Sequence, residues 1–368
     1  MNYFILVCLV LLLSYLLLAA LQLWVLFRYR DSKMDEPAEW PAISVLVAAR
    51  NEEKSLGACL EALCALDYPK ERLQILVGND QSTDHTGIIA GDFQKTFPWV
   101  KVIEIVDDDS GLKAKARVMA QLDKHATGDY YLVTDADVRV KPGWAKFLVR
   151  HMTEETGVAS GTTMVSGKSR WSRLQGIDWA YFMGLLNIIS YSGVPATAVG
   201  NNMVVRKKAY WDTGGYSAIK FSITEDYKLY SEICKHGWKW NNIMTPEVLA
   251  YSDSTSGFFP LLHQRKRWLS GGLELPWYWW IMFGIFGLYY FLVPVLFMFE
   301  PILASVIFVL KMAMQITQIN KIYGLLGEKR PGFLLQLWYE AYLFLVTVST
   351  AIFFLLPIPT IWKGRKYS

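Results

Sequence analysis

The sequence is poor in charge, and its charges form no pattern typical of nucleic-acid binding. Lys, Arg, Asp and Glu make up 19% of its 368 residues, whereas about a quarter is usual in soluble domains. The net charge is +4, and no block of Lys and Arg is long enough to follow a phosphate backbone. We therefore expect no nucleic-acid partner.

Cysteine and histidine are also scarce, and neither shows the spacing of a metal site. The sequence contains no CxxC pair, and no HxxxH or HExxH pattern that would place two histidines on one helix face. We therefore expect no zinc site. The cysteines are expected to be reduced thiols, which suits a domain that faces the cytoplasm. They are Cys8, Cys59, Cys64 and Cys234.

Hydrophobic residues, 53% of the total, are concentrated at the two ends of the chain. Four runs are apolar and close to the roughly 20 residues that a bilayer-spanning helix needs. They are residues 4–27, 275–299, 301–319 and 341–362. The second run opens with an aromatic cluster that suits a membrane interface. These runs predict a multi-pass protein of the cell (inner) membrane, in contact with membrane lipids.

Basic residues beside the apolar runs indicate the topology. The first run carries no Lys or Arg at its start and ends at Arg28 and Arg30, which favours an anchor over a cleavable signal peptide. Those arginines, and the basic residues between 321 and 330, favour a cytoplasmic location for the segments that contain them. Four spans would leave the basic residues at 363–366 outside, so a re-entrant or interfacial late segment is an alternative.

The polar middle of the chain is expected to form an α/β domain. Apolar runs at residues 43–48, 73–77, 100–106 and 130–134 are typical of buried strands, with helical spacing between them. Strands that alternate with helices predict a mostly parallel sheet. In such sheets ligands bind beyond the carboxyl ends of the strands. The residues that follow each strand are therefore the candidates for a site.

Acidic and amide residues follow three of these four strands. The segments read ARNEE after the first, GNDQSTD after the second and DAD after the fourth. Each alone could be a turn or a helix cap, but three on one sheet edge indicate a site. Asp135 and Asp137 are alternate residues of an extended segment and point the same way. Their carboxylates could hold Mg²⁺ or Mn²⁺, which prefer oxygen ligands and substrate phosphates.

An ordered set of motifs gives the strongest signal. Between residues 43 and 272 the chain carries ISVLVAARNEE, VGNDQSTDHT, LKAKA, VTDAD, TED and QRKRW. In this order they resemble the membrane-bound branch of family 2 glycosyltransferases, which have a GT-A (Rossmann-like) fold. That branch includes the ceramide glucosyltransferases and the hyaluronan, chitin and cellulose synthases. The first two motifs depart from the common family pattern, and both departures fall in the nucleotide pocket.

The resemblance implies a UDP-sugar donor and assigns residues to it. The nucleotide-sugar-binding residues would be Ala49, Glu52, Asp80, Lys115 and Asp135. Asp80 would hold the uracil, and Lys115 would lie near the phosphates, with Lys113 as a close rival. Asp137 would bind the metal ion, Mg²⁺ or Mn²⁺.

The resemblance also implies how the sugar is transferred. Asp226 would accept the proton of the acceptor hydroxyl as general base. The residues near the diphosphate and the acceptor would be Glu225, Gln264, Arg267 and Trp268. A single displacement would invert the anomeric centre and form a β-glycoside. Arg265 and Lys266 fit either phosphate contacts or a basic cluster at the membrane edge.

The acceptor is left open between two classes. A lipid or lipid-linked acceptor suits a chain with few spans, whereas a processive polysaccharide synthase of the hyaluronan or poly-N-acetylglucosamine type suits the QxxRW box. The apolar segment at residues 171–199, interrupted by Asp178, fits an interfacial helix at the acceptor or a buried core helix. Residues 200–203 look like the acceptor-side loop of the family. A homo-oligomer is compatible with either class.

Two rivals come from other classes. A non-catalytic membrane scaffold would have no need of the full acidic set, and a transporter would place ionisable residues inside its spans, whereas Lys311 and Glu300 are expected near span ends. A nucleotidyltransferase would show a glycine-rich basic loop after the first strand, and none is present.

The sequence therefore predicts four regions. They are an N-terminal transmembrane anchor at 1–30, a cytoplasmic GT-A domain at 41–257, an interfacial helix with the QxxRW box at 258–272, and a C-terminal region with about three membrane helices at 273–368.

Overall fold

The structure, a computed structural model, describes residues 3–31, 34–108, 111–220, 222–362 and 365–367. It divides into two compact units. The α/β unit comprises Arg30–Gly167 and Ile189–Ser254, and the helical unit comprises Met1–Tyr29, Lys168–Ile188 and Thr255–Ser368.

The strands in the described residues are short. They are β1 (Ile43–Ala49), β2 (Leu73–Asn79), β3 (Val100–Glu104), β4 (Tyr130–Asp135), β5 (Val138–Arg139), β6 (Thr156–Ser160), β7 (Thr163–Ser166), β8 (Asn202–Arg206), β9 (Lys239–Asn242), β10 (Ala250–Asp253), β11 (Thr360–Trp362) and β12 (Arg365–Tyr367).

The helices fall into short ones between strands and long apolar ones. They are α1 (Tyr3–Arg28), α2 (Leu56–Cys64), α3 (Thr86–Thr96), α4 (Ala114–Asp123), α5 (Trp144–Arg150), α6 (Arg170–Tyr191), α7 (Lys207–Asp212), α8 (Gly215–Ala218), α9 (Glu225–Lys235), α10 (Phe258–Gly272), α11 (Trp277–Phe299), α12 (Pro301–Leu325) and α13 (Phe333–Leu355), with a 3₁₀ turn at Lys70–Arg72.

A seven-stranded sheet forms the centre of the α/β unit. Its strand order is β3-β2-β1-β4-β8-β6-β9. The β8 strand pairs antiparallel with both β4 and β6, and the other described pairs of this sheet are parallel. Strands β1 and β2 are almost entirely buried, because helices cover both faces of a parallel sheet and leave no solvent-facing side. The predicted α/β fold with a mostly parallel sheet is confirmed.

The register brings the predicted strand ends to one edge. Ala48 pairs with Asp135 and Ala49 pairs with Asn79, so the polar residues after β1, β2 and β4 lie in neighbouring rows. Because β8 runs the other way, its first residue, Asn202, lies beside Thr134 at the same edge. Four segments therefore meet at this edge. The sequence predicted three of them from strand patterns, and the fourth precedes β8.

A second, three-stranded sheet in the α/β unit has the order β5-β10-β7. Strand β5 starts at Val138, directly after the predicted metal ligand, and pairs antiparallel with β10. This sheet is not predicted from the sequence, because strands of two to four residues leave no periodic pattern.

Four helices of the helical unit are long and apolar enough to cross a membrane. They are α1, α11, α12 and α13, and they match the four predicted runs in number and order. The fourth run was predicted eight residues too late. The predicted run starts directly after Glu340, whereas α13 begins at Phe333 and includes Glu340, which is buried and paired with Lys311 of α12. It ends at Leu355, ahead of Pro357, which cannot continue a helix.

Two further expectations for this unit are changed. Lys311 was expected near a span end, but it lies in the middle of α12 and is 1% exposed. Helix α6 belongs to the helical unit up to Ile188 and is buried along most of its length, which favours the core-helix alternative over an interfacial one. Lys363, used in the topology argument, lies outside the described residues.

Candidate active site

The loops that follow β1 and β2 are joined by side-chain hydrogen bonds. The Asn51 amide N–H donates to Ser82 Oγ at 3.1 Å, and its side-chain oxygen accepts from the Thr83 N–H at 2.9 Å. The Glu52 N–H donates to Thr86 Oγ1 at 2.7 Å. Glu52 itself is 9% exposed. These bonds fix one wall of the sheet edge, next to the buried Ala49.

Asp80 is held by arginines. It is 3% exposed, and its Oδ1 accepts a hydrogen bond from Arg117 Nη2 at 2.9 Å. Arg117 also pairs with Asp107, and Arg50 donates to the Asp80 carbonyl at 2.7 Å. Arg117 was not predicted as a site residue. It directly follows the LKAKA motif, but only the orientation of α4 shows that it turns toward Asp80.

Lys115 lies at the centre of a second group. Its Nζ is 2.5 Å from Asp135 Oδ1, 2.8 Å from the Gly200 carbonyl oxygen and 3.8 Å from Glu225 Oε1. Burial alone would lower the pKa of Lys115, but the charges of Asp135 and Glu225 more than offset it and raise the pKa. Its predicted rival, Lys113, is exposed. Lys115 is therefore a fixed cation beside the first aspartate of the DxD motif.

Asp226 lies next to the same loop, at the start of α9. Its Oδ2 accepts the Gly200 N–H at 2.8 Å, and its Oδ1 accepts the Tyr227 N–H at 2.8 Å. A Cβ at position 200 would lie 2.8 Å from the Asp226 Cβ, so only glycine allows this approach. Gly200 thus touches Asp226 through its N–H and Lys115 through its carbonyl oxygen.

Asn202 anchors the loop that contains Gly200. Its Nδ2 donates to the carbonyl oxygens of Thr162 and Val248, and its Oδ1 accepts from Trp144 Nε1 at 2.8 Å. The residue is fully buried. This network holds the predicted acceptor-side loop in one conformation.

Asp137 lies among acidic groups. Burial and then the negative charge of Asp135 raise its pKa above the ordinary range, and Asp253 adds to the shift. Ser252 Oγ is 3.5 Å from its Oδ2. Such repulsion is relieved by a divalent cation, so the DxD carboxylates fit an oxygen-seeking metal ion. Among the described residues no three His, Cys, Asp or Glu side chains are grouped so that they could hold a metal ion on their own.

Backbone strain marks the same edge. In the part of the chain that the structure describes, the non-glycine residues with positive φ are Asn51, Gln81 and Ala114, at 53°, 56° and 51°. Ala114 directly precedes Lys115. A residue with a Cβ in this region costs about 1–2 kcal/mol, and such strain clusters at binding sites.

The QxxRW residues belong to the helical unit, on α10. Gln264, Arg267 and Trp268 are half-buried. The two basic residues between them are engaged: Arg265 pairs with Asp178 of α6, and Lys266 donates to the carbonyl oxygens of Phe353 and Leu356. Arg265 and Lys266 each have a partner inside the helical unit. These contacts favour a structural role over both predicted alternatives, a phosphate contact and a basic cluster at the membrane edge.

Residues 6–355 match the model of the family described as glycosyl transferase family 21. The chain belongs to that family. The recognition of a membrane-bound GT-A glycosyltransferase from its motifs is thereby confirmed.

Characterised relatives of this glycosyltransferase differ in what they make. A β-monoglucosyldiacylglycerol synthase of Synechocystis sp. is 30% identical over 240 residues, which are 64% of this chain and 48% of the relative. A poly-β-1,6-N-acetyl-D-glucosamine synthase of Staphylococcus epidermidis is 26% identical over 242 residues, 63% of this chain and 55% of the relative. The glycosyltransferase thus spans about half the length of these relatives.

A solved structure agrees with the fold. The mannosyltransferase PcManGT of Pyrobaculum calidifontis, in complex with GDP-Man and Mn²⁺, has a TM-score of 0.64 at 15% identity and covers 95% of this chain and 97% of its own. At this identity the likeness concerns the fold of the glycosyltransferase.

Proposed function

We propose that this glycosyltransferase moves a sugar from a UDP-sugar to a lipid or lipid-linked acceptor and forms a β-glycosidic bond. The observation that carries the proposal is the convergence of Lys115, Asp135, Glu225 and Asp226 around Gly200 at the carboxyl edge of the sheet. Proton acceptors and a fixed cation lie together there, as displacement of a diphosphate by a hydroxyl requires.

Asp226 is the proposed general base. The Gly200 N–H fixes its Oδ2, so the carboxylate is oriented before an acceptor hydroxyl arrives. It takes the hydroxyl proton as the new bond to the anomeric carbon forms, and the sugar leaves the β-phosphate oxygen. Attack from the face opposite the leaving group inverts the anomeric centre.

Lys115 is the proposed partner of the leaving diphosphate. Its ammonium is anchored by Asp135 and the Gly200 carbonyl, and Arg267 adds a second positive group in this proposal. Because such charges are already in place, they stabilise the developing phosphate charge without reorganisation. Asp137 would hold Mg²⁺ or Mn²⁺, which supplies further neutralisation of the diphosphate when bound.

The nucleotide is proposed to lie along the loops after β1 and β2. Ala49, Glu52 and Asp80 line this wall, and the buried Asp80–Arg117 pair gives the base a rigid neighbour. Gln264 and Trp268 are proposed to contact the diphosphate and the acceptor. The α/β domain is proposed to face the cytoplasm of a cell with the chain in its inner membrane, since Arg28 ends α1 and Arg30 follows it.

The lipid acceptor is favoured by the relative from Synechocystis, whose name states a glucosylated diacylglycerol product. A polysaccharide synthase is the second candidate, supported by the relative from Staphylococcus epidermidis. Four candidate spans suit a single addition to a membrane lipid better than the secretion of a long chain.

Product analysis separates the candidates. The purified protein in mild detergent would be given a panel of UDP-sugars, Mg²⁺ or Mn²⁺ and total membrane lipids, with UDP release and product masses as readouts. We expect a lipid that gains one hexose. A ladder of long saccharides would establish the polysaccharide candidate instead, and folded protein without turnover on any donor would contradict both.

A further inference from the structure

One buried acidic residue of the helical unit has no part in the proposed chemistry. Asp178 of α6 is 7% exposed and forms an ion pair with Arg265 of α10, whose side chain is 16% exposed. Its carboxylate also accepts hydrogen bonds from two hydroxyl groups of α13, Tyr339 at 3.1 Å and Tyr342 at 3.5 Å. Asp178 therefore joins α10 to α13 inside the unit.

Arg265 also contacts the tryptophan of the QxxRW box. Its guanidinium carbon lies 4.6 Å from the centroid of the Trp268 ring, within the range of a cation–π contact. Trp179, the neighbour of Asp178 on α6, meets the same ring edge to face at 5.2 Å between centroids. Two consecutive residues of α6 thus determine where the Trp268 indole lies, one directly and one through Arg265.

Stability alone does not account for this arrangement. Two charges buried in an apolar interior lose hydration, and apolar residues of similar volume often stabilise a protein equally well. What an ion pair adds is position, because the charged contact between Arg265 Nη2 and the Asp178 carboxylate limits where the guanidinium can lie. Here the guanidinium lies over an aromatic ring.

We propose that Asp178 is a positioning residue for Trp268. It holds Arg265 against the indole, and the indole then presents a fixed flat face to the acceptor. This inference rests on the proposed function, in which Trp268 contacts the acceptor. Fixing the ring in advance removes an ordering cost from acceptor binding.

Kinetics of Asp178→Asn and Arg265→Met test the proposal. We expect the KM for the acceptor to rise about tenfold, since small misplacements of a positioning group have effects of this size or larger, while the KM for the UDP-sugar changes far less. Arg170→Met is the matched control. Arg170 lies exposed on α6, the helix of Asp178, and its guanidinium is near the Trp338 ring, not the Trp268 ring.

A double-variant comparison separates positioning from a general structural role. In a Trp268→Leu background, Asp178→Asn should raise the acceptor KM no further, because the group it positions is gone. Should Asp178→Asn prove unstable, Arg265→Lys keeps the charge pair but lacks the planar contact, and the acceptor KM should still rise. Additive effects, or equal losses for donor and acceptor, would overturn the proposal.

A spectroscopic readout keeps the test independent of activity. In protein labelled with 5-fluorotryptophan, the ¹⁹F resonance missing from Trp268→Leu identifies Trp268. Asp178→Asn and Arg265→Met should shift or broaden that resonance, and Arg170→Met should not. An unchanged resonance would refute the positioning role even in a protein that turns over, whereas a wild type without turnover but with the expected shifts would contradict the proposed function alone.

Discussion

The two units of this glycosyltransferase use ionisable residues in opposite ways. At the sheet edge of the α/β unit, burial and then the negative charge of Asp135 raise the pKa of Asp137. In the helical unit, Lys311 pairs with Glu340 and Arg265 pairs with Asp178, all of them largely buried. The acidic residues at the sheet edge leave negative charge that a ligand can neutralise. The ion pairs of the helical unit leave no net charge.

The balance of charge distinguishes a ligand site from a structural core in this molecule. Burial and ion pairing are found in both units, so neither identifies the chemistry. Unbalanced charge of one sign, at the end of parallel strands and beside strained backbone, is found at the sheet edge alone among the groups described above. Substitutions of the transfer residues at the sheet edge and of the Lys311–Glu340 pair should therefore affect different quantities, activity in the first case and stability in the second.

The largest effect is expected from Asp226→Asn. The substitution keeps the shape of the side chain and its contact with the Gly200 N–H but removes the proton acceptor, so transfer should fall by about 10²–10⁴-fold. UDP binding, measured by calorimetry, should stay near the wild-type value. Asp212→Asn is the control, since Asp212 is an acid of the same unit paired with Lys208 on the surface. Near-normal turnover in Asp226→Asn would exclude it as the base.

In the helical unit the corresponding experiment should change stability. Lys311→Met leaves Glu340 buried without its cation and should cost about 3–5 kcal/mol of unfolding free energy. Adding Glu340→Leu should recover most of that loss, because the remaining charge is then gone. Thermal unfolding in detergent gives the comparison. A single variant as stable as the wild type would mean that Glu340 finds another partner.

A smaller effect separates two neighbouring lysines of the α/β unit. Lys115→Met removes the cation fixed beside Asp135 and Gly200, and kcat should fall by about 10²–10³-fold, as when one preorganised charge-stabilising donor is lost. Lys113→Met is the matched control. Since Lys113 is exposed, its variant should turn over like the wild type, and a reversed outcome would give Lys113 the role.

The sequence predicted those parts of the fold that depend on local pattern. Strands β1, β2 and β4 read as apolar runs because both faces of the sheet are buried, and DxD followed from its place after β4. Local sequence pattern does not predict contacts between segments that are far apart in the chain. The start of α13 was wrong because a glutamate looks polar until its partner, Lys311, is known. Arg117 and Asp178 were missed or left unassigned for the same reason, since their partners lie 37 and 87 residues away.

The smallest effect concerns Asp137 and completes the comparison. Its pKa is raised in the folded protein, so the folded state disfavours ionisation. Stability should therefore fall as the pH rises from the ordinary range of an aspartate to the raised value. Asp137→Asn removes this repulsion, and at neutral pH without added metal it should melt a few degrees above the wild type, although it should not transfer sugar.

Metal titration shows whether the repulsion belongs to a cation site. Mn²⁺ should raise the melting temperature of the wild type, because a ligand that binds the folded state stabilises it, and should leave Asp137→Asn unchanged. Glu340→Leu, which also removes a carboxylate, should melt below the wild type because it leaves Lys311 buried alone. If Asp137→Asn raises the melting temperature and Glu340→Leu lowers it, the carboxylate at the sheet edge serves ligand binding and the one in the helical unit serves packing. Changes of the same sign in melting temperature would mean that the carboxylates of the two units do not differ in their effect on stability.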